Sequence, residues 1–273
     1  MPRYRLIVAY DGTDFHGWQR QTGVDGGPLR TVQWCLEQAV VGAIRHAVPV
    51  VGASRTDAGV HAEGQVASFA VPVDVPAARL AAALNSRLPR DIQVRAASRV
   101  PDSFDPISDC DTKRYRYALR DGCRHGMRAH PFESRYVTEV VHDLDVGAMQ
   151  SAAPALVGRH DFKGLAGQTE QKATTVRTIH ACDVVRSADG VVRVSVQGDG
   201  FLYNMVRIIV GTLVEIGRGR LEAGIVPRIL ATGNRELAGP TMPPEGLCLE
   251  WIHYPREALE GAATSMAATE PVA

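Results

Sequence analysis

The order in which strand-like and helix-like periodicities follow one another is the feature that most limits what this chain can fold into, because such an order admits few topologies. Arg3 to Tyr10 is apolar and β-prone and stops at Asp11-Gly12, a strand ending in a turn. After a flexible Gly-rich loop at 23–29, Thr31 is placed to cap a helix whose apolar positions are Val32, Cys35, Leu36, Ala39, Val40 and Ala43. Val48–Gly52 and Gln65–Val71 read as strands. Pro76 suits the first turn of an Ala- and Leu-rich helix ending near Arg87, and Ile92–Ala97 closes the set. Strand, helix, strand, strand, helix, strand is the ferredoxin-like, split βαβ order, an antiparallel sheet with helices on one face.

From about residue 105 the order starts again. Lys113–Leu119 reads as a strand, residues 120–140 as a polar excursion with a short strand around Arg135–Val140, and Asp143 to about Leu156 as a helix. Thr175–Val185 and Val191–Gln197 form a hairpin across Ser187-Ala-Asp-Gly190. A helix with apolar Met205, Ile208, Ile209, Leu213 and Ile216 follows, then a shorter one near Leu221–Ala231 and a last strand, Leu247–Tyr254. The expected fold class is α+β: two ferredoxin-like halves, residues 1–104 and 105–256, forming a mixed, mainly antiparallel sheet with helices on one face. Residues 257–273 are Ala-, Thr- and Glu-rich without apolar period, the composition of a disordered tail.

At 273 residues and 45% hydrophobic content the chain can bury a core without disulfide or metal staples. Thirty Lys+Arg against 30 Asp+Glu exclude a histone-like polycation and an acidic disordered chain, but not a local basic surface. Only three of the cations are lysines (Lys113, Lys163, Lys172). Genome composition accounts for that bias, although arginine is also the residue that pairs bidentately with phosphate and stacks on bases. The five cysteines (Cys35, Cys110, Cys123, Cys182, Cys248) contain no Cys-x-x-Cys pair, which fits reduced thiols in a cytosol. The nine histidines offer no i, i+4 ligand pair beside a carboxylate, so no metal is expected. There is neither a signal-peptide h-region nor an apolar run of the roughly 20 residues that cross a bilayer. A cytoplasmic protein with no membrane contact is expected.

Three clusters could carry chemistry. The first is Ala53-Ser-Arg55-Thr-Asp57-Ala-Gly-Val-His61, between the second and third strands. By composition it is a hairpin turn with a solvated Asp and a loop histidine bonded to a backbone carbonyl. Arg55 two residues away would keep a partly buried Asp57 ionised, and an oriented carboxylate can act as nucleophile or general base. The second is Lys113-Arg-Tyr-Arg-Tyr117, where alternation puts Lys113, Tyr115 and Tyr117 on one strand face and Arg114 and Arg116 on the other. From Lys113 to Arg135 seven cations face two acids, Asp121 and Glu133. Cations interleaved with rings suit a nucleic-acid surface, and they equally suit core tyrosines beside a solvated arginine face. The third is Phe201-Leu-Tyr-Asn-Met-Val-Arg207, with Gly211-Thr-Leu213. Arg207 borders the apolar stripe, and a partly buried arginine normally has an acidic partner, which can be a purely structural one. No Gly-x-x-x-x-Gly-Lys-Ser/Thr, Gly-x-Gly-x-x-Gly or Gly-x-Ser-x-Gly occurs, against nucleotide hydrolysis, dinucleotide binding and serine hydrolysis.

Taken in order, the segments resemble the bacterial tRNA pseudouridine synthases of the TruA family. The resemblance runs through Ala9-Tyr-Asp-Gly-Thr-Asp-Phe-His-Gly-Trp-Gln-Arg-Gln21, Arg55-Thr-Asp-Ala-Gly-Val-His61, Lys113-Arg-Tyr-Arg-Tyr117, Phe201-Leu-Tyr-Asn-Met-Val-Arg207 with Gly211-Thr-Leu213, and Pro244-Glu-Gly-Leu-Cys-Leu249. It covers about residues 3–256, departing at the long 23–29 loop and the 257–273 tail. It implies isomerisation of uridine to pseudouridine in the tRNA anticodon arm, about positions 38–40, with no cofactor. By the same resemblance Asp57 is the essential aspartate, Arg55 and Arg207 pair with it, Tyr115 stacks on the target uracil, and Leu247 walls the pocket. It also implies a homodimer with the tRNA lying across both subunits. Independently of it, Arg114, Arg116, Arg120 and Arg124 are candidate phosphate contacts that would offset the cost of flipping a base out of its stack. Two rivals remain. A non-catalytic RNA-binding module would have no use for the Asp57 loop, and a hydrolase with Asp57 as base would want a second carboxylate or a metal cluster.

Overall fold

The computed structural model describes residues 1–123, 129–167 and 174–260, so Arg124 and residues 261–273 lie outside the described residues. Two compact units form: Met1–Asp111 together with the segment from Leu249 onward, and Thr112–Cys248.

In the first unit β1 (Arg3–Tyr10), α1 (Val32–Ile44), β2 (Val51–Gly52), β3 (His61–Ala70), α2 (Ala77–Asn85) and β4 (Ile92–Val100) follow the order read from the sequence. β1 lies between β3 and β4, antiparallel to both, and β2 pairs with β3. That 4-1-3-2 arrangement is what a split βαβ order produces. Strict alternation in β1 buries Tyr4, Leu6, Val8 and Tyr10, each apolar side chain contributing about 1.5–3 kcal/mol. α1 buries Val32, Cys35, Leu36, Ala39 and Val40, and Thr31 caps it by accepting the Trp34 N–H through its side chain.

The second unit contains β5 (Thr112–Arg120), β6 (Thr138–Glu139), α3 (Val146–Ala152), β7 (Gly158–Asp161), β8 (Val176–Arg186), β9 (Val192–Gly198), α4 (Met205–Gly217) and α5 (Ile225–Thr232). Its strands run β5-β9-β8-β7, each antiparallel to the next, and the short β6 pairs parallel with β5. The architecture is α+β, as expected. β10 (Leu247–His253) and α6 (Arg256–Glu260) complete the chain; from Leu249 onward β10 belongs to the first unit, beside β3. α6 extends four residues into the segment whose composition suggested no structure.

Three local expectations need correcting. Val48–Gly52 pairs only at Val51 and Gly52. Pro49 cannot donate to a ladder, and the Val50 backbone turns instead to α1, donating to Glu37 Oε1 and accepting from Gln33 Nε2. β3 begins at His61, four residues before the apolar alternation shows itself. β7, Gly-Arg-His-Asp, was not expected at all, because it has no apolar period and is held by backbone pairing to β8.

Asp121, one of the two acids inside the basic stretch, is largely buried and takes both Arg186 nitrogens at 2.7 Å as well as the Leu144 N–H at 2.8 Å. The Arg186 bonds hold its carboxyl below the usual carboxylate range. A lowered folded-state value means stabilisation that is complete above the unfolded value and lost as pH falls through the folded one. Asp121→Asn is therefore expected to cost about 1–2 kcal/mol at neutral pH. In urea unfolding the variant and the wild type should converge as the pH is lowered; a constant gap would show that the loss is steric.

Candidate active site

Asp57 sits on the loop from β2 to β3, and that loop is fastened at nearly every peptide. Ala53 N–H donates to Val66 O, and the buried Gln65 side chain clamps Ser54, accepting its N–H and donating to its carbonyl at 2.6 Å. Thr56 O accepts the Trp18 N–H at 3.0 Å, and Thr56 Oγ1 lies 2.8 Å from the Tyr10 hydroxyl, both groups buried. Beyond Asp57 the turn closes with Val60 N–H on Asp57 O and Gly59 N–H on Phe15 O; Gly59 takes φ +80°.

The segment 11–18 is the scaffold of this loop, and its glycines have a steric reason. A Cβ on Gly12 would overlap the Val60 carbonyl. One on Gly17, which also sits at φ +85°, would come within 2.7 Å of Thr56 O. Only a chain without side chains at these two points lets Trp18 and Phe15 reach the loop with their backbones. Asp57 is left half-buried and Arg55 exposed, with Thr56 between them buried.

His61 departs from expectation. It is the first residue of β3, buried, and its Nδ1 accepts the Gly12 N–H at 3.0 Å. Asp11 Oδ1, which also accepts from Thr13 N and Oγ1, lies 3.2 Å from the same nitrogen.

The remaining candidates belong to the second unit. β5 alternates as read: Lys113, Tyr115 and Tyr117 are buried, and Arg114 and Arg116 are half-buried on the other face. The Tyr115 ring meets Phe201 edge-on at 5.2 Å. Arg207 opens α4, with Nε donating to Met242 O at 2.6 Å and Nη1 to Asn204 Oδ1 at 2.9 Å, which fixes the guanidinium plane. Asn204 can present that oxygen because it caps α4 in the left-handed region, φ 57°. Leu247 is buried and follows a turn closed by its N–H on Pro244 O. Tyr117 draws these parts together: its hydroxyl donates to Pro243 O and touches Thr138 Oγ1, each at 2.6 Å. Burial raises the Tyr117 phenol far above its ordinary range, against a smaller opposing pull from Thr138 and Arg207. Arg120 is committed inside the fold, to Glu133 at 2.7 Å and to Asp189 O at 2.8 Å.

A model of the family described as tRNA pseudouridine synthase matches residues 6–107 and 152–255. The chain belongs to the tRNA pseudouridine synthase family. Proteins called tRNA pseudouridine synthase A are similar to it nearly end to end. That of Acetivibrio thermocellus is 41% identical over 255 residues, covering 93% of this chain and 100% of the relative. That of Leuconostoc citreum is 42% identical over 258 residues, covering 93% and 98%. That of Citrifermentans bemidjiense is 41% identical over 256 residues, again covering 93% and 98%. In this pseudouridine synthase family member the Asp57 loop falls in the first matched segment, and Arg207 and Leu247 fall in the second. Tyr115 lies between them.

Tyr10, Thr56 and Asn204 lie inside the quoted motifs, yet their bonding is not marked there; Gln65 beside Asp57 and the Met242 carbonyl beside Arg207 lie outside those motifs. Gln65 is a buried polar side chain within β3. Among the described residues no group of three or more His, Cys, Asp or Glu could hold a metal ion, and no helix is long and apolar enough to cross a membrane.

Proposed function

We propose that the chain isomerises uridine to pseudouridine in the anticodon arm of tRNA, about positions 38–40, with Asp57 as the essential carboxylate. The observation that carries this reading is the Asp57 loop itself, a carboxylate on a backbone fastened on both sides within a family-matched segment. The N1–C1′ bond breaks, the uracil turns in place, and C5 bonds to C1′; the proton lost from C5 is balanced by one gained at N1. The product has the substrate's formula and oxidation state, so the chemistry calls for no cofactor. Arg207 and Arg55 pair with Asp57 and aim it. Tyr115 stacks on the target uracil and assists removal of the C5 proton, while Leu247 walls the pocket.

A base inside a stem must be flipped out, at a cost of about a few kcal/mol. Arg114 and Arg116 offset that cost at the phosphates. Arg120, whose guanidinium bonds Glu133 and the Asp189 carbonyl, is a third candidate on the same strand. The chain acts in the cytoplasm as a homodimer, which joins two basic stretches on a protein of zero formal charge. Arg116→Ala is expected to weaken tRNA binding and to lower the slope of log K against log salt by about one unit. An unchanged slope would make Arg116 a solvated surface residue.

The test of the function is to map pseudouridine by carbodiimide labelling and primer extension on anticodon-arm transcripts, in low-salt buffer without added metal. Stops at uridines near positions 38–40 are expected. Tight binding without product would instead favour the RNA-binding module.

A further inference from the structure

We propose that Thr56 is a positioning residue for Asp57, acting through the hydroxyl pair it forms with Tyr10. The proposal rests on the reading of Asp57 as the reactive carboxylate and adds what aims it. A peptide is planar, so holding one carbonyl oxygen holds the N–H across the same bond. Thr56 O, bound by Trp18 N–H, fixes the plane that ends at Asp57 N. Asp57 O, bound by Val60 N–H, fixes the plane that starts at Asp57 C. The Asp57 Cα thus lies between two anchored planes, and only its side-chain torsions are left to place the carboxylate.

The first plane has a second fastening. The Thr56 side chain is turned into the interior, where its hydroxyl meets the Tyr10 phenol at 2.8 Å. Tyr10 is the last residue of β1 and is held in the ladder opposite Ala62 of β3. Gln65 Nε2 lies 3.5 Å from the same phenolic oxygen and donates to Ser54 O, on the approach to the loop. The loop is thereby referred to two sheet strands through side chains, not only to the 11–18 segment through backbone. In a buried site, neither hydroxyl can exchange its partner for water without a cost. Valine fills the volume of threonine but cannot make this bond, so it releases the loop while keeping the packing.

The measurements are the single-turnover rate of pseudouridine formation at saturating enzyme, the tRNA Kd and thermal melting, on the full-length protein. Thr56→Val is expected to slow the single-turnover rate about 10- to 100-fold, the scale of a misplacement near 1 Å, with Kd within about twofold. Thr56→Ser, which keeps the hydroxyl, should recover the rate to within about threefold. Tyr10→Phe removes the same bond from the other side, together with the longer Gln65 contact, and should be at least as slow as Thr56→Val. The double variant should be no slower than the worse single one, because both delete one interaction. Should Thr56→Val fail to fold, Tyr10→Phe carries the test alone. Rates that equal wild type once corrected for the folded fraction, or a serine that fails to recover them, would overturn the positioning role. An active Asp57→Asn would overturn the reading of Asp57 instead, so the two failures are distinguishable.

Discussion

Asp57→Asn is expected to lower pseudouridine formation by at least about a thousandfold, a loss of about 4 kcal/mol of transition-state stabilisation, while the tRNA Kd changes little. The amide has the size and shape of the carboxylate. It cannot carry the negative charge that makes the group a nucleophile or a base, nor can it pair with an arginine as an anion. The bonds that fix the loop use the Thr56 carbonyl and hydroxyl, the Asp57 carbonyl and the Gly59 and Val60 amides, all of which survive the exchange. The melting temperature should therefore stay close to wild type, and the defect should appear in the single-turnover rate and not in binding. Carbodiimide mapping checks the first and filter binding the second. Asp57→Asn protein forming product at an undiminished rate would transfer the chemistry to another residue.

Strand β5 shows why half of the site can be read from the sequence. Lys-Arg-Tyr-Arg-Tyr alternates with a period of two, so the burial of Tyr115 and Tyr117 and the outward turn of Arg114 and Arg116 follow from strand geometry alone. The stripe of α4 and the Thr31 cap of α1 are legible for the same reason, since every residue that defines them lies within a few positions. The supports of Asp57 and Arg207 are different. Tyr10 reaches Thr56 across 46 positions, Arg207 reaches Met242 across 35, and Tyr117 reaches Pro243 across 126. Nothing local marks such partners, because a tyrosine at the end of a strand or a methionine in a loop looks like any other.

His61 shows a further limit. A histidine after Asp-Ala-Gly-Val has the composition of a loop, yet strand pairing with β1 carries β3 back over it. The ring then becomes a buried acceptor for Gly12. Pattern identifies elements, whereas the role of a polar side chain depends on which backbone the fold brings to it.

Gly211→Ala should be the most damaging conservative change in the second unit, and it links packing to the site. The segment 239–242 crosses α4 with backbone against backbone. A Cβ on Gly211 would overlap the Pro240 carbonyl, and one on Gly239 would overlap the Gly211 carbonyl. Between them the Thr212 hydroxyl donates to Ile208 O at 2.8 Å and accepts the Gly239 N–H at 3.0 Å. Neither neighbour in the clash is the flexible end of a side chain, so the segment as a whole must move away from the helix. Overpacking of this kind costs about 1–3 kcal/mol, which for a protein of this size lowers the melting temperature by roughly 2–5 °C. The same movement withdraws the Met242 carbonyl that Arg207 holds at 2.6 Å, so activity should fall further than the folded fraction accounts for. Gly224→Ala is the control. It lies at the start of α5 at φ −71°, a Cβ there meets nothing within 4 Å, and melting should change by no more than about 1 kcal/mol in equivalent stability. Equal effects from the two substitutions would mean that general helix propensity, not the contact at Pro240, governs this region. A destabilised Gly211→Ala protein with the wild-type rate per folded molecule would separate the packing of α4 from the aim of Arg207.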